Sequence, residues 1–222
     1  MATGTGIDAQ VGLALETTWG TAVTVTRFFP LVSETMKKEI DRVESAAQFT
    51  GAQTLRSTQW AAGNAKVGGD VGFELYDQSF GMLWKAAFGT VTTAGTVAPY
   101  THTFWPVAPS VSFTMQIGRP TVYGSVIPHT YEGCKIASWA LSCKAGEIAT
   151  WGMTLLAEEE RAGTALASAS YASNLKPWVF TSASVTVDGT AVPVKQFDLN
   201  GDNMLTDDRR FLGGSTISEP LR

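Results

Sequence analysis

Between Tyr131 and Glu160, large apolar residues alternate with small or polar ones on either side of a short polar break. Trp139, Leu141 and Cys143 stand before the break, and Trp151, Met153 and Leu155 after it. Side chains on one face of a strand recur every second residue, so these six odd-numbered positions share a face when odd pairs with odd across a hairpin. A three-residue loop, Lys144-Ala145-Gly146, satisfies that parity, with Gly146 at the positive-φ position of a bulged turn. The predicted register sets Trp139 opposite Trp151, Leu141 opposite Ala149 and Ala137 opposite Met153. A one-residue slip would turn one strand's large side chains into water. Trp139, Leu141, Trp151 and Met153 are therefore the expected core of a central hairpin.

The same reading extends along the chain. Ile7, Ala9, Val11, Leu13 and Leu15 alternate with Asp8, Gln10, Gly12, Ala14 and Glu16, which predicts a half-buried first strand. Arg27 to Leu31 is a short apolar segment that Pro30 bars from the middle of a sheet. Val67, Val71, Phe73 and Leu75 form the buried side of another strand, which leaves Asp70 and Glu74 on a face that cannot be core. Phe80, Leu83, Trp84, Ala87 and Phe88 then fall on one helical stripe. That stripe predicts a helix over 77–88, capped by Asp77, closed by Gly89 and packed on the sheet. Further strands are expected at 100–105, 111–117, 122–131, 178–180, 183–187 and 192–199.

Residues 34–66 fit least well. Met36, Ile40, Val43 and Ala47 have helical spacing after a possible Ser33 cap. The remainder, through Arg56 and Trp60, has few large apolar residues and no period. We read the segment as a helix followed by a long interaction loop or arm, a feature that is uncommon in compact domains and usually functional. Arg56, Trp60, Asp70 and Glu74 are the candidate interface residues.

Composition narrows the class. The 222 residues suit a single domain over 1–222, and a charged fraction of 16% with abundant Thr, Val, Ala and Gly favours sheets. A net charge of −4 offers no basic footprint for tight nucleic-acid binding. No apolar run approaches the ~18–20 residues that cross a bilayer. The last residues, Thr216 to Arg222, read as the start of another segment, which predicts a chain truncated at Arg222.

Catalytic and metal signatures are missing from the pattern. There is no phosphate-binding loop and no G-x-S-x-G elbow. His102 and His129 are the only histidines. His129 lies near Cys134, but regular strand parity puts Cys134 and Cys143 on opposite faces, against a joint metal site. Asp198-Leu199-Asn200-Gly201-Asp202-Asn203 imitates half of a calcium loop, yet Asn203 replaces the required Gly and Arg209 the bidentate Glu. An Asx-rich turn is expected there, and a solvated acidic patch at Glu158–Glu160. Of seven tryptophans, Trp19, Trp60, Trp105 and Trp178 remain outside the predicted core. No cofactor, metal or catalytic residue is expected.

The order GIDAQVGLALETTWGTAV, RFFPLVSETMK, GGDVGFELYDQSFGMLWKAAFG, YTHTF, IGRP, YEGCKIASWALSCKAGE, SVTVDGT and FDLNGDN resembles the major tail tube proteins of long-tailed, siphovirus-type bacteriophages. It is densest at Gly69–Gly89 and Tyr131–Glu147. The resemblance implies a mainly β fold: an antiparallel β-sandwich or barrel-like subunit with one flanking helix and a long loop reaching neighbouring subunits. It further implies hexameric rings of the chain itself, stacked into a hollow tube through which DNA passes without specific binding. Tape measure and tail terminator proteins would be its other partners, the virion tail its location and the host cytoplasm its place of synthesis. A lumen must not neutralise phosphates, because each Lys or Arg contact adds affinity through counterion release. On this view Asp70, Glu74, Arg56 and Trp60 are lumen or interface candidates. The alternative is a monomeric carbohydrate- or cell-surface-binding β-sandwich of a virion, with Trp60 or Trp105 stacking on sugars.

Overall fold

The computed structural model describes residues 6–48, 51, 54, 57–97, 100–107 and 111–222. In chain order the strands are β1 (Gln10–Leu15), β2 (Arg27–Phe29), β3 (Leu31–Glu34), β4 (Lys37–Glu44) and β5 (Trp60–Glu74). The helix α1 (Gly81–Phe88) follows, then β6 (Gly89–Ala94), β7 (Thr101–Pro106), β8 (Phe113–Pro120) and β9 (Val126–Lys144). The chain continues through β10 (Thr150–Ala157), β11 (Glu159–Arg161), β12 (Thr186–Val187), β13 (Thr190–Ala191) and β14 (Gln196–Asp202). The fold is mainly β and antiparallel, as the alternation predicts.

Ten strands join into one sheet that turns back on itself around β9. The first half of this 19-residue strand lies between β8 and β11, in a layer continued by β1 and β2. Its second half lies between β14 and β10, in a layer continued by β5, β3 and β4. We call these the first and second layers. They form an open, two-layered arrangement rather than a closed barrel, the corner being made by a strand that changes layers.

Two bulges in β9 make that corner. Phe113 pairs with Cys134 but Met115 with Tyr131, so β9 carries one extra residue there. Leu155 pairs with Ile136 but Thr154 with Ser138, so Ala137 is a second extra residue. Each bulge flips strand parity. Tyr131, then Cys134 and Ile136, then Trp139 and Cys143 consequently all enter one hydrophobic core. This corrects the expectation that the two cysteines face opposite ways. Both are buried free thiols, and burial pushes the Cys134 thiol well above its ordinary value.

The central hairpin pairs odd with odd, but two residues away from the predicted register. Trp151 faces Leu141 and Met153 faces Trp139. The loop is longer than predicted: β9 ends at Lys144 and β10 starts only at Thr150, after a buried Ala149 whose carbonyl accepts the Leu75 N–H at 2.8 Å. Trp139 and Trp151 still stack, diagonally, with centroids 5.1 Å apart and planes 14° apart.

Helix α1 covers the core side of the second layer. Trp84 packs on Trp151 at 4.4 Å and on Trp139 at 6.4 Å, and Phe88 on Trp139 at 5.0 Å. Phe80 meets Phe29 and Phe73 edge-on, and Leu83 is buried. Gly89 closes the helix at φ +91°. Asp77 does not cap it: its carboxylate accepts the Lys176 N–H, and the helix starts four residues later than predicted. The Thr90–Ala94 stretch pairs with β7 as a separate hairpin.

The segment after Ser33 is not a helix. Residues 37–44 form β4, antiparallel to the first part of β5, so the arm is a β-ribbon continuing the second layer past the end of β10. Of the helically spaced residues Met36, Ile40, Val43 and Ala47, Met36 alone is buried. Ile40 and Val43 fall on opposite sides of the ribbon, and no core selects a face.

Candidate functional site

The side of the second layer turned away from the core is built from three rows that run in register across four strands. One row is Glu74, Thr150, Ser142 and Asp198. The next is Gly72, Gly152, Ala140 and Asn200, and the third Asp70, Thr154, Ser138 and Asp202. Small and hydroxyl side chains fill the two central strands, and carboxylates fill the two outer ones. Asp70, Glu74, Asp198 and Asp202 are the only charged residues in these rows. Thr154 donates to Asp70 at 2.7 Å, and the Ser142 and Thr150 hydroxyls lie 2.9 Å apart. Nothing stands within 4 Å of where a Gly152 side chain would begin, so the middle of the face is open and smooth.

Beside this face stands the arm. Ile40, Val43 and Trp60 are 57, 58 and 48% exposed on it, and the Arg42 guanidinium lies 5.0 Å over the Trp60 ring. The projecting ribbon thus holds apolar groups out to solvent. The base of the arm is fixed to the first layer. Arg119 of β8 donates twice to Glu34, at 2.8 and 2.7 Å, and also to the Met36 carbonyl. The Tyr131 hydroxyl donates to that same carbonyl at 3.2 Å. Burial works to raise Glu34, but the hydrogen bond and charge of Arg119 outweigh it and hold the carboxyl below its ordinary range.

More charges gather where β10 leaves the second layer. Lys38 reaches Glu159 at 3.1 Å, His129 meets Glu160 at 2.6 Å, and Arg161 clamps the buried Glu132 through two bonds. Glu16 accepts from Gly20, Ser112, Thr114 and Gly133, tying its loop to the first bulge of β9. Glu158 lies against Gly20 and Gly133, and burial, reinforced by Glu132, Glu159 and Glu16, pushes its carboxyl up to about 7. The Glu158–Glu160 run is thus a partly buried network and not a solvated patch. Among the described residues no group of three His, Cys, Asp or Glu side chains is placed to hold a metal ion.

The sequence matches the family model described as phage tail tube protein over residues 6–220. The chain belongs to the phage tail tube protein family. No curated protein matches it. Among solved structures it is similar to a chain of the 6-fold symmetrised cryo-EM structure of the anti-feeding prophage (AFP) baseplate. That likeness has 6% identity and a TM-score of 0.39, covering 69% of this chain and 90% of the other. As a tail tube family protein the chain is a structural component of the virion tail.

For a tail tube protein, the acidic face and the arm are the features of interest, and the sequence-based candidates map onto them unevenly. Asp70 and Glu74 belong to the acidic face, four residues apart on β5. Trp60 lies on the arm, and Arg56 falls outside the described residues. Trp139, Trp151, Met153 and, half-buried, Leu141 line the core side, with Phe80, Leu83, Trp84 and Phe88 over them. Asp198 and Asp202 were missed, because Asp198–Asn203 is not an Asx-rich turn: it falls largely in β14, paired with β9. The alternation of Phe197, Leu199 and Gly201 with Asp198, Asn200 and Asp202 is the signal that identifies the strand. Trp60 and Trp105 are both exposed but stand on separate ribbons, the arm and the β6–β7 hairpin.

Proposed function

We propose that this chain, folded as one domain, is the tube-building subunit of the tail, and that its acidic face lines the channel. Copies join through the open edges of the second layer into rings, six-membered by family resemblance, and the rings stack with the arms reaching between subunits. Closing a sheet copy to copy removes edges that would otherwise template aggregation. The observation that carries the reading is the three-row face. Four carboxylates with no cation among them repel a phosphate backbone, and a Gly, Ala, Ser and Thr floor gives bases nothing to stack on. DNA can then slide past without being held. Tape measure and tail terminator proteins are the further partners on this reading, and assembly follows synthesis in the host cytoplasm.

Negative-stain microscopy of the purified protein tests assembly, with rings or tubes as the expected result. A species that stays monomeric at every concentration and binds glycans through Trp60 or Trp105 would replace this reading with that of a cell-surface-binding virion protein. The channel is tested separately by Gly152→Arg. The site is open and its backbone ordinary, so folding and tube formation should persist. Each subunit then places a cation in the lumen, and particles with normal tails should lose at least tenfold in DNA delivery. Unchanged delivery would put this face on the outside.

A further inference from the structure

The second layer has one stretch of strand edge that the chain itself closes with a non-strand segment. β10 stops opposite Val67, so the arm portion of β5, residues 60–66, has β4 on one side and, among the described residues, no strand on the other. Ala65 lies in this stretch and turns its backbone away from β4. Its N–H donates to the Ser215 carbonyl at 2.8 Å, and its carbonyl accepts from Arg210 at 2.6 Å. An adjacent antiparallel strand would supply one acceptor and one donor in the same places. Residues 203–221 therefore act as a strap across the edge.

The strap is held at a few points. Arg210 bridges Ala65 and, at 3.3 Å, Ser215. Ile217 is buried, and the buried Lys135 ammonium donates to Glu219 at 2.6 Å and to the Pro220 carbonyl at 3.2 Å. Between these points Phe211 and Leu212 are exposed, and the strap contains no strand.

We propose that the strap guards a strand-acceptor edge, and that on assembly the β14 strand of a second copy displaces it and pairs with residues 60–66. This rests on the tube-subunit reading and specifies which edges meet. Three observations favour β14 as the occupant. No strand among the described residues covers its outer edge. Its seven residues match the seven of the stretch 60–66. It carries Asp198 and Asp202 without a cation, whereas the acceptor stretch itself holds Lys66, only loosely paired with Asp41 of β4 at 3.9 Å. Pairing β14 of one copy with β5 of another uses two different edges and makes a head-to-tail contact, the kind that closes into rings.

Hydrogen–deuterium exchange of the free and assembled protein, in the parent and in Arg210→Ala, tests this. In the free parent, Ala65 should be protected while the other amides of 60–66 that point away from β4, and the outer-edge amides of 196–202, exchange fast. In assemblies both segments should slow by at least tenfold. Arg210→Ala removes a partly exposed guanidinium and no core contact; it should unprotect Ala65 in the free chain, shorten the assembly lag, and show Ala65 protected again once assembled. Assemblies in which 60–66 or 196–202 exchange as in the free chain would overturn the seam and leave the tube reading standing. An Ala65 amide that stays open in assembled Arg210→Ala would do the same. A chain that never assembles overturns the tube reading and this seam with it. If Arg210→Ala does not fold, the comparison of free and assembled parent decides alone.

Discussion

Gly201 offers a sharp test of how the core of the second layer is packed. It pairs with Trp139 across the β14–β9 ladder, and a Cβ built on it would lie 2.3 to 2.5 Å from three atoms of the indole. Real carbon contacts begin about 1 Å further out, so Gly201→Ala requires the ring to move. The ring has nowhere to go: Trp151 stacks on it at 5.1 Å and Phe88 packs against it at 5.0 Å. Overpacking of this kind costs about 1–3 kcal/mol. Without the clash the sign would reverse, because Gly201 has no left-handed φ and Ala in place of Gly stabilises a compatible site by about 0.4–1 kcal/mol. Urea denaturation of the unassembled chain, at a concentration low enough to remove any contribution from association, measures the difference. Trp139→Phe supplies the second arm of a double-mutant cycle. The smaller ring should absorb most of the Gly201→Ala cost, giving a coupling of about 1–3 kcal/mol. A Gly201→Ala chain as stable as the parent, or a penalty unchanged beside Phe at 139, would refute the packing described here.

Two further substitutions probe the charges around the arm. Glu158 has a folded-state pKa of about 7 against an ordinary 4.5, so the folded chain retains a proton that the unfolded chain has released. Stability therefore falls as pH rises from about 4.5 to about 7 and is level above that. Discounted for solvent screening, the loss is about 1 kcal/mol. Glu158→Gln should be more stable than the parent by that amount at pH 8 and match it near pH 4; thermal unfolding across this range checks the sign. Arg119→Ala deprives Glu34 of its guanidinium partner and leaves the Met36 carbonyl only the Tyr131 hydroxyl, and should cost about 2–3 kcal/mol. Adding Glu34→Gln should recover part of that loss, as read from denaturation midpoints; if it recovers none, the pair does not fix the arm.

The central hairpin, the β5 alternation and the helix stripe were legible in the sequence because each has a single buried face with a clean period. The bulges of β9 were missed, although the switch from even positions Cys134 and Ile136 to odd positions Trp139, Leu141 and Cys143 marks one of them. A periodicity taken over the whole stretch averages that switch away. The arm was illegible for a different physical reason. Met36 plugs the core, while Ile40 and Val43 lie on opposite sides of an exposed ribbon, so three residues with unrelated surroundings happen to repeat like a helix. Half of the acidic face was visible in Asp70 and Glu74. The other half was concealed because Asp, Asn and Gly are turn formers locally, and only pairing with a strand more than fifty residues away holds Asp198–Asp202 extended.

The sharing of β9 between the two layers has a mechanical consequence. In a sandwich of independent sheets, shear between layers is opposed by side-chain packing alone. Here a strand about 60 Å long at ~3.3 Å per residue runs from one layer into the other. Force applied to the layer bearing the acidic face passes along covalent bonds into the layer behind it. Separating the layers would mean unzipping the ladders on β9 rather than sliding two greasy surfaces apart. A wall made of such units would bend as one thickness, and would resist flattening under pressure more than its modest core suggests.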